Sequence, residues 1–383
     1  MWGMSQEPFG DIPLFREIQK LLSSSQGPIN LEIARQVAVA AATAGQTEPP
    51  PEPDLRRAYG EAVHRAEGLL TGFTRRPLEE PGRVEVVGRA DWTRATLEGW
   101  RWILEHIAER FVAQLSGLTG ELAEQDNPMQ ATLEQVGPLL VGMQAGTLVG
   151  QLGRDALARF DIPIPRTGER RLLLVGPNFE QAVADYRLER DDLIPWLALQ
   201  EVARNLLLST VPWLDSYFRS LVSELVDALE IDASDLERRF VELGSLGMEG
   251  IGEGGSPRGA LPITPTERHS RAVRRLGAFL SAFEGYSSHA ASAAAQEMVA
   301  GRERVEEGMT RRRGASSEGR EALAAVLGIP SDRSQEVAGT TFCAAVTKLK
   351  GIATLNRMWD APDNLPDADE IKDPFLWMER QSV

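Results

Sequence analysis

Residues 197–214 read LALQEVARNLLLSTVPWL. The spacing of the apolar residues predicts a helix with one apolar face. Gln200 and Arg204 stand one turn apart, so their side chains project from the same side, with Glu201 next to them. That is the frame of H-E-x-x-H, in which two histidines hold zinc and the glutamate takes a proton from metal-bound water. Neither histidine is present. A glutamate and an arginine at i, i+3 also make an everyday surface ion pair. The stretch alone therefore leaves two readings open: an accident of a helical sequence, or a hydrolase scaffold without its metal.

The composition is that of an ordinary globular protein. The chain has 383 residues, 42% hydrophobic and 25% charged, enough for two or three average domains or one enzyme-sized unit. A formal charge of −15 argues against a broad electropositive surface, so no nucleic acid and no anionic membrane is expected as a partner. The runs Arg274-Arg275 and Arg311-Arg312-Arg313 read as solvated helix faces. The single cysteine, Cys343 in TTFCAAV, rules out an intrachain disulfide and reads as core. The N-terminus has no uninterrupted apolar stretch of the signal-peptide kind. The most apolar-leaning segment, 137–153, falls short of the roughly 20 residues a membrane span needs. Its Gly142, Gly146 and Gly150 point instead to close helix packing. A cytoplasmic location is the expectation.

Most of the chain reads as helix. Asn30 is a good N-cap for NLEIARQVAVAAATAG, which stops at Gly45. A proline-rich connector, about 46–54, follows. Asp54 and Asp91 are expected to cap two further helices. The second, from Asp91 to Leu115, aligns Leu97, Trp100, Leu104, Ile107, Phe111 and Leu115 in one stripe. Only RVEVVG (83–88) and RRLLLVGP (170–177) look like strands, too few for an α/β sheet. His64 and His106 read as surface or satisfied histidines, with no second His or Cys at ligand spacing. Gly250, Gly252 and Gly255 match the dinucleotide fingerprint literally. However, no strand leads in, and Glu249 and Glu253 would repel a pyrophosphate. The Gly/Pro stretch 244–265 reads as a mobile loop.

The flanks of the opening stretch carry a resemblance. RLLLVGPNF, then LIPWLALQEVARNLLLSTVPWLDSYFRSLV, RHSRAVRRLGAFLSAFEGYSSHA and the terminal NRMWDAPDNLPDADEIKDPFLWMER resemble a family of predicted zinc-dependent peptidases, also labelled hydrolases. The family is found mainly in actinobacteria and chloroflexi, and one branch is named for deazaflavin-coenzyme biosynthesis. The resemblance runs from PFGDIPLFREIQKLL near the N-terminus to the last residues, and the terminal W-x-x-P-x-x-L-P string is its most specific part.

The resemblance implies an α+β, predominantly α-helical, zincin-like fold, with a small β-sheet packed on the active-site helix. A helical region with its proline-rich connector would occupy 1–82 and the zincin-like domain 83–383. The family's H-E-x-x-H falls on Gln200 to Arg204, and its later E-G-H on Glu284-Gly285-Tyr286. Glu201, the catalytic glutamate position, and Glu284 match. The three histidine positions are Gln200, Arg204 and Tyr286, and which residue of Glu284-Gly285-Tyr286 would supply the third ligand stays open.

Gln is a poor zinc ligand and Arg a permanent cation, so no metal and no cofactor is expected. His289 lies five residues past Glu284, about 140° around a helix, and is not expected to rebuild the site. Arg204 is expected to pair with Glu284 in two-point contact, with Glu201 near enough to share the charge and Gln200 donating its amide elsewhere. The alternative leaves Arg204 in solvent. Three functions stand: an inactive protein that binds a peptide or protein in its cleft, an active hydrolase with relocated ligands or metal-independent chemistry at Glu201, and a purely structural helical protein.

Overall fold

The computed structural model describes residues 27–382 apart from 79, 121–127, 163, 167–168, 231–263, 265, 316 and 329–333. The N-terminal segment 8–22, the glycine fingerprint and all of the Gly/Pro stretch except Thr264 lie outside the described residues.

The first helix, α1 (Leu31–Thr43), starts as its sequence dictates. The Asn30 side-chain oxygen accepts the Ile33 N–H at 3.1 Å, and the helix ends at Ala44 in the left-handed region, just before Gly45. Helix α2 (Pro53–Thr74) begins differently from expectation. Pro53 takes the first turn, Glu52 stands at the cap without a side-chain bond, and Asp54 lies inside the helix. There its charge still favours the positive end of the helix dipole. Asp91 is likewise not a cap, because α3 (Arg89–Gly99) starts two residues earlier, after Gly88. The expected single helix from Asp91 to Leu115 is two, α3 and α4 (Arg101–Gly120). Gly99 is the weak point. Trp100 follows it at φ −97°, ψ 2°, buried in the core together with Leu97.

Helix α5 (Pro128–Asp155) then returns to α1. A Cβ on Gly146 would lie 2.6 Å from the Ala34 carbonyl oxygen, and one on Gly150 would lie 2.7 Å from that of Ala38. The four-residue glycine repeat is thus what lets the two backbones touch.

Strands β1 (Arg83–Val87) and β2 (Arg171–Val175) pair in parallel, from Arg83 opposite Arg171 to Val87 opposite Val175. A parallel pair needs a long crossover, and α3, α4 and α5 form it. Alternate residues of β2 face opposite ways. Leu173 and Val175 enter a core with α3, α8 (Leu214–Asp227) and α9 (Glu267–Met298). Leu172 and Leu174 enter a second core with Tyr59, Val63 and Leu70 of α2 and with α7 (Arg190–Thr210), which follows α6 (Gly176–Tyr186). The fold is therefore α+β and mostly helical, with a small sheet on α7.

The chain closes with α10 (Arg302–Gly314), α11 (Glu318–Leu327), α12 (Ser334–Lys350) and the short α13 (Ile352–Asn356), α14 (Ala368–Lys372) and α15 (Pro374–Arg380). Helices α9 and α12 cross with backbones in contact: a Cβ on Gly285 or on Gly339 would land inside the other helix. Cys343 is fully buried at this level, and burial pushes its thiol up, as befits a core residue. Among the described residues no helix is long and apolar enough to cross a membrane.

The arginine run 311–313 is not a solvated face throughout. Arg311 is exposed, but Arg312 is buried against Asp161 at 2.8 Å, and the Arg313 guanidinium lies over the Trp196 ring. A helix presents successive residues about 100° apart, so three arginines in a row cannot share one face.

Candidate functional site

Helix α7 is buried along most of its length, including two charged residues, Glu201 (2% exposed) and Arg204 (6%). Buried charges persist only when paired or hydrogen-bonded, and each of these has its own partners.

Arg204 reaches across to α9. Its Nε donates to Glu284 Oε2 at 2.8 Å, and its Nη2 lies 2.6 Å from the same oxygen. The expected pair with Glu284 is present, but both donors converge on one carboxylate oxygen instead of taking one each. Nη1 turns back on its own helix, donating to the main-chain oxygen of Gln200 at 2.9 Å and to its Oε1 at 3.1 Å. The Gln200 side chain therefore accepts from Arg204, whereas it was expected to donate elsewhere. An acceptor beside a bound guanidinium is the favourable choice. Burial works against the charge on Arg204. Glu284, through its field and its hydrogen bonds, with help from Glu336 and Glu201, outweighs burial and holds the group above its ordinary pKa.

Glu201 faces the other way. Its Oε1 accepts the main-chain N–H of Phe160 at 2.8 Å and its Oε2 that of Arg159 at 3.2 Å. It shares the charge of Arg204 only through space. Burial pushes its carboxyl up to about 7, against the Phe160 N–H and the guanidiniums of Arg204, Arg159 and Arg166. A glutamate poised near neutrality could exchange a proton, but both oxygens are spent on the backbone.

Tyr286 takes no part in this cluster. Two residues past Glu284, it lies about 200° around α9. Its hydroxyl donates to Asn356 Oδ1 at 2.7 Å, and Asn356 in turn donates to the Thr74 carbonyl at 2.8 Å. The tyrosine anchors the C-terminal string, whose Asn364 carbonyl accepts from Trp377 at 2.8 Å. Of the residues singled out from sequence, the structure brings Gln200, Arg204 and Glu284 together, sets Glu201 behind them and sends Tyr286 elsewhere. His289 bonds to Thr347 at 3.1 Å and His106 to Asp227 at 2.9 Å.

Sequence reasoning missed the residues around this core. Ser288 donates to Glu336 of α12 at 2.9 Å, and Arg313 lies 4.0 Å from the same carboxylate. With Gln200 and Glu284 they form a partly exposed polar rim above Trp196. Behind Glu201 stand Tyr59, Arg159 and Arg166, all fully buried. The available signal was the placing of two arginines and an aspartate in a mostly apolar connector, ALARFDIPIPR.

The residues gathered here do not fit a zinc site. The Arg204 guanidinium already binds Glu284, and the Gln200 beside it offers only a neutral amide. Among the described residues no group of three His, Cys, Asp or Glu side chains is arranged to hold a metal ion.

Comparison with known proteins puts this geometry in context. The profile of the zincin-like metallopeptidase family matches residues 29–378. No curated protein matches. A solved structure from Chloroflexus aurantiacus, described as a "putative hydrolase with a novel fold", superposes with a TM-score of 0.66 at 22% identity, covering 92% of this chain and 99% of that one.

Proposed function

The chain belongs to the zincin-like metallopeptidase family, and from that premise we propose that it is a member without its zinc site, which binds a peptide or protein segment and does not hydrolyse it. The observation that carries the reading is the guanidinium of Arg204, bonded to Gln200 and Glu284 at positions where the family's motif would set histidine and a third ligand. A dication brought there would meet a permanent cation at contact distance. Without a metal, a water molecule returns towards its bulk acidity, and Glu201 has nothing acidic to deprotonate.

The partly exposed rim of Gln200, Glu284, Ser288, Glu336 and Arg313 supports the binding half of the reading. Both signs of charge and two neutral polar groups lie there beside Trp196, a mixture suited to the termini and side chains of a peptide. A mixed-sequence peptide library incubated with the protein and excess zinc tests both halves. The expected result is no cleavage products, together with retention of a peptide subset that Arg313→Met releases. Zinc-dependent cleavage overturns the reading. Retention unaffected by Arg313→Met moves binding away from this rim.

A further inference from the structure

Helix α15 carries four apolar residues in a row, Phe375-Leu376-Trp377-Met378. Successive helical residues lie about 100° apart, so such a run cannot bury all its members against one neighbour. Trp377 and Met378 go inward. The Trp377 ring packs edge-on against Phe342 of α12, and its Nε1 donates to the Asn364 carbonyl. Phe375 and Leu376 go outward, 66% and 47% exposed, and Phe375 is the most exposed large apolar side chain among the described residues.

The helix that displays this pair is tied down at both ends. Asp373 accepts the Phe375 N–H at 3.1 Å. At the far end Arg380 donates to both oxygens of the buried Glu370 and to the carbonyls of Asp363 and Leu365. An apolar pair held this firmly needs little further ordering when a partner arrives.

The surroundings are acidic. Asp373 precedes the pair, and Glu379 follows Phe375 by one turn on the same exposed face. Asp363 and Asp367 lie within electrostatic reach of Arg380, one turn on from Leu376. Between Asp360 and Arg380 seven carboxylates stand against two cations, Lys372 and Arg380, which are already paired with Asp369 and Glu370. An apolar pair among carboxylates repels an anionic surface and matches an apolar stripe bordered by lysine or arginine. Two copies of a chain with a formal charge of −15 repel one another, which disfavours self-association as the use of this face.

We infer that Phe375 and Leu376, with the carboxylates of Asp373 and Glu379, form a docking surface for a basic amphipathic segment of a partner protein. The surface shares no residue with the rim around Arg313, and it does not rest on the loss of zinc.

A fluorescent helical peptide with leucines on one face and lysines on the other is titrated with the full chain, and its anisotropy followed. The expected result is saturable binding that weakens as salt rises. Phe375→Ser with Leu376→Ser leaves the net charge unchanged and should weaken binding by about tenfold or more. No binding overturns the inference. Binding that the double variant keeps also overturns it, being no more than attraction of a cation to an acidic protein. Self-association of the unaltered chain that the double variant abolishes assigns the face to a second copy and overturns it as well. Hydrogen exchange on the unaltered chain answers without a variant: slowed exchange in α15 on adding the peptide supports the surface, and slowing confined to other elements overturns it.

Discussion

Replacing Arg204 by methionine removes the cation and its polar contacts while keeping much of the side chain's length. Four contacts disappear: two to Glu284 Oε2 and two to Gln200. The Gln200 losses are small, because its side chain is partly exposed and water replaces the donor. The cost lies in Glu284, whose side chain is only 19% exposed and which loses the guanidinium of Arg204. Stranding one member of a fully buried ion pair costs about 3–5 kcal/mol. The residual exposure of Glu284 brings the expectation to about 2–3 kcal/mol. Glu284→Leu strands the more deeply buried Arg204 and should cost more, about 3–4 kcal/mol. The double variant should lose less than the two singles together by about 2 kcal/mol or more, since each change removes what the other stranded. Urea unfolding at pH 7 gives all four stabilities, provided the dependence on urea keeps its slope. A loss under about 0.5 kcal/mol for Arg204→Met, the range of ordinary surface changes, or strict additivity in the double, would refute the idea that this pair holds α7 to α9.

Three further outcomes follow from the same geometry. Burial raises the Glu201 carboxyl from 4.5 to about 7, so the folded state binds the proton more tightly than the unfolded one. Its stabilising contribution is complete below about pH 4.5 and is lost as pH rises through about 7. Urea titrations across that window should show a downward slope with pH that Glu201→Gln flattens; an unchanged slope would remove Glu201 as its source. Gly339→Ala, whose new Cβ falls on the Ser281 carbonyl, should cost about 3 kcal/mol or prevent folding. Gly68→Ala, inside α2 with nothing within 4 Å, should stabilise by about 0.5–1 kcal/mol, and equal effects at the two sites would contradict the packing described. Gln200→His with Arg204→His should gain zinc affinity in a competition assay, using Glu284 as third ligand. Adding Tyr286→His should not improve it, because that side chain is turned to Asn356; a large gain from the third change would mean that α9 is rotated from the position described.

What the sequence made legible follows the reach of each physical signal. The two strands were plain, because short β-branched and aliphatic runs ending in Gly or Pro have few other readings. So was the capping of α1 by Asn30, a local hydrogen bond that three residues specify. The glycine repeat of α5 signalled a close contact but not its partner, α1. Asp54 and Asp91 misled because an acid in the first turn is favoured by the helix dipole as well as at the cap. The stripe from Leu97 to Leu115 hid the break at Trp100, since apolar periodicity survives a turn that keeps Leu97, Trp100 and Leu104 in one core.

At the site, spacing along α7 put Gln200 and Arg204 on one face. The pairing of Arg204 with Glu284 followed from the family resemblance, which set both residues at one site, together with their opposite charges. The single-oxygen geometry and the accepting role of Gln200 did not, because they depend on the separation of α7 and α9. That separation is set by long-range packing that no local pattern encodes. The partners of the two arginines behind Glu201 were not legible either: they come from Thr96 of α3, the Arg171 carbonyl of β2 and the Arg166 carbonyl.

The central claim is that a guanidinium stands where the family's zinc would be held. Elemental analysis of the untagged protein, purified without chelator and dialysed mildly, tests it most directly. The account predicts far less than one zinc per chain, unchanged after exposure to excess zinc and re-dialysis. A content near one zinc per chain, removed by chelator and restored by zinc, would contradict it.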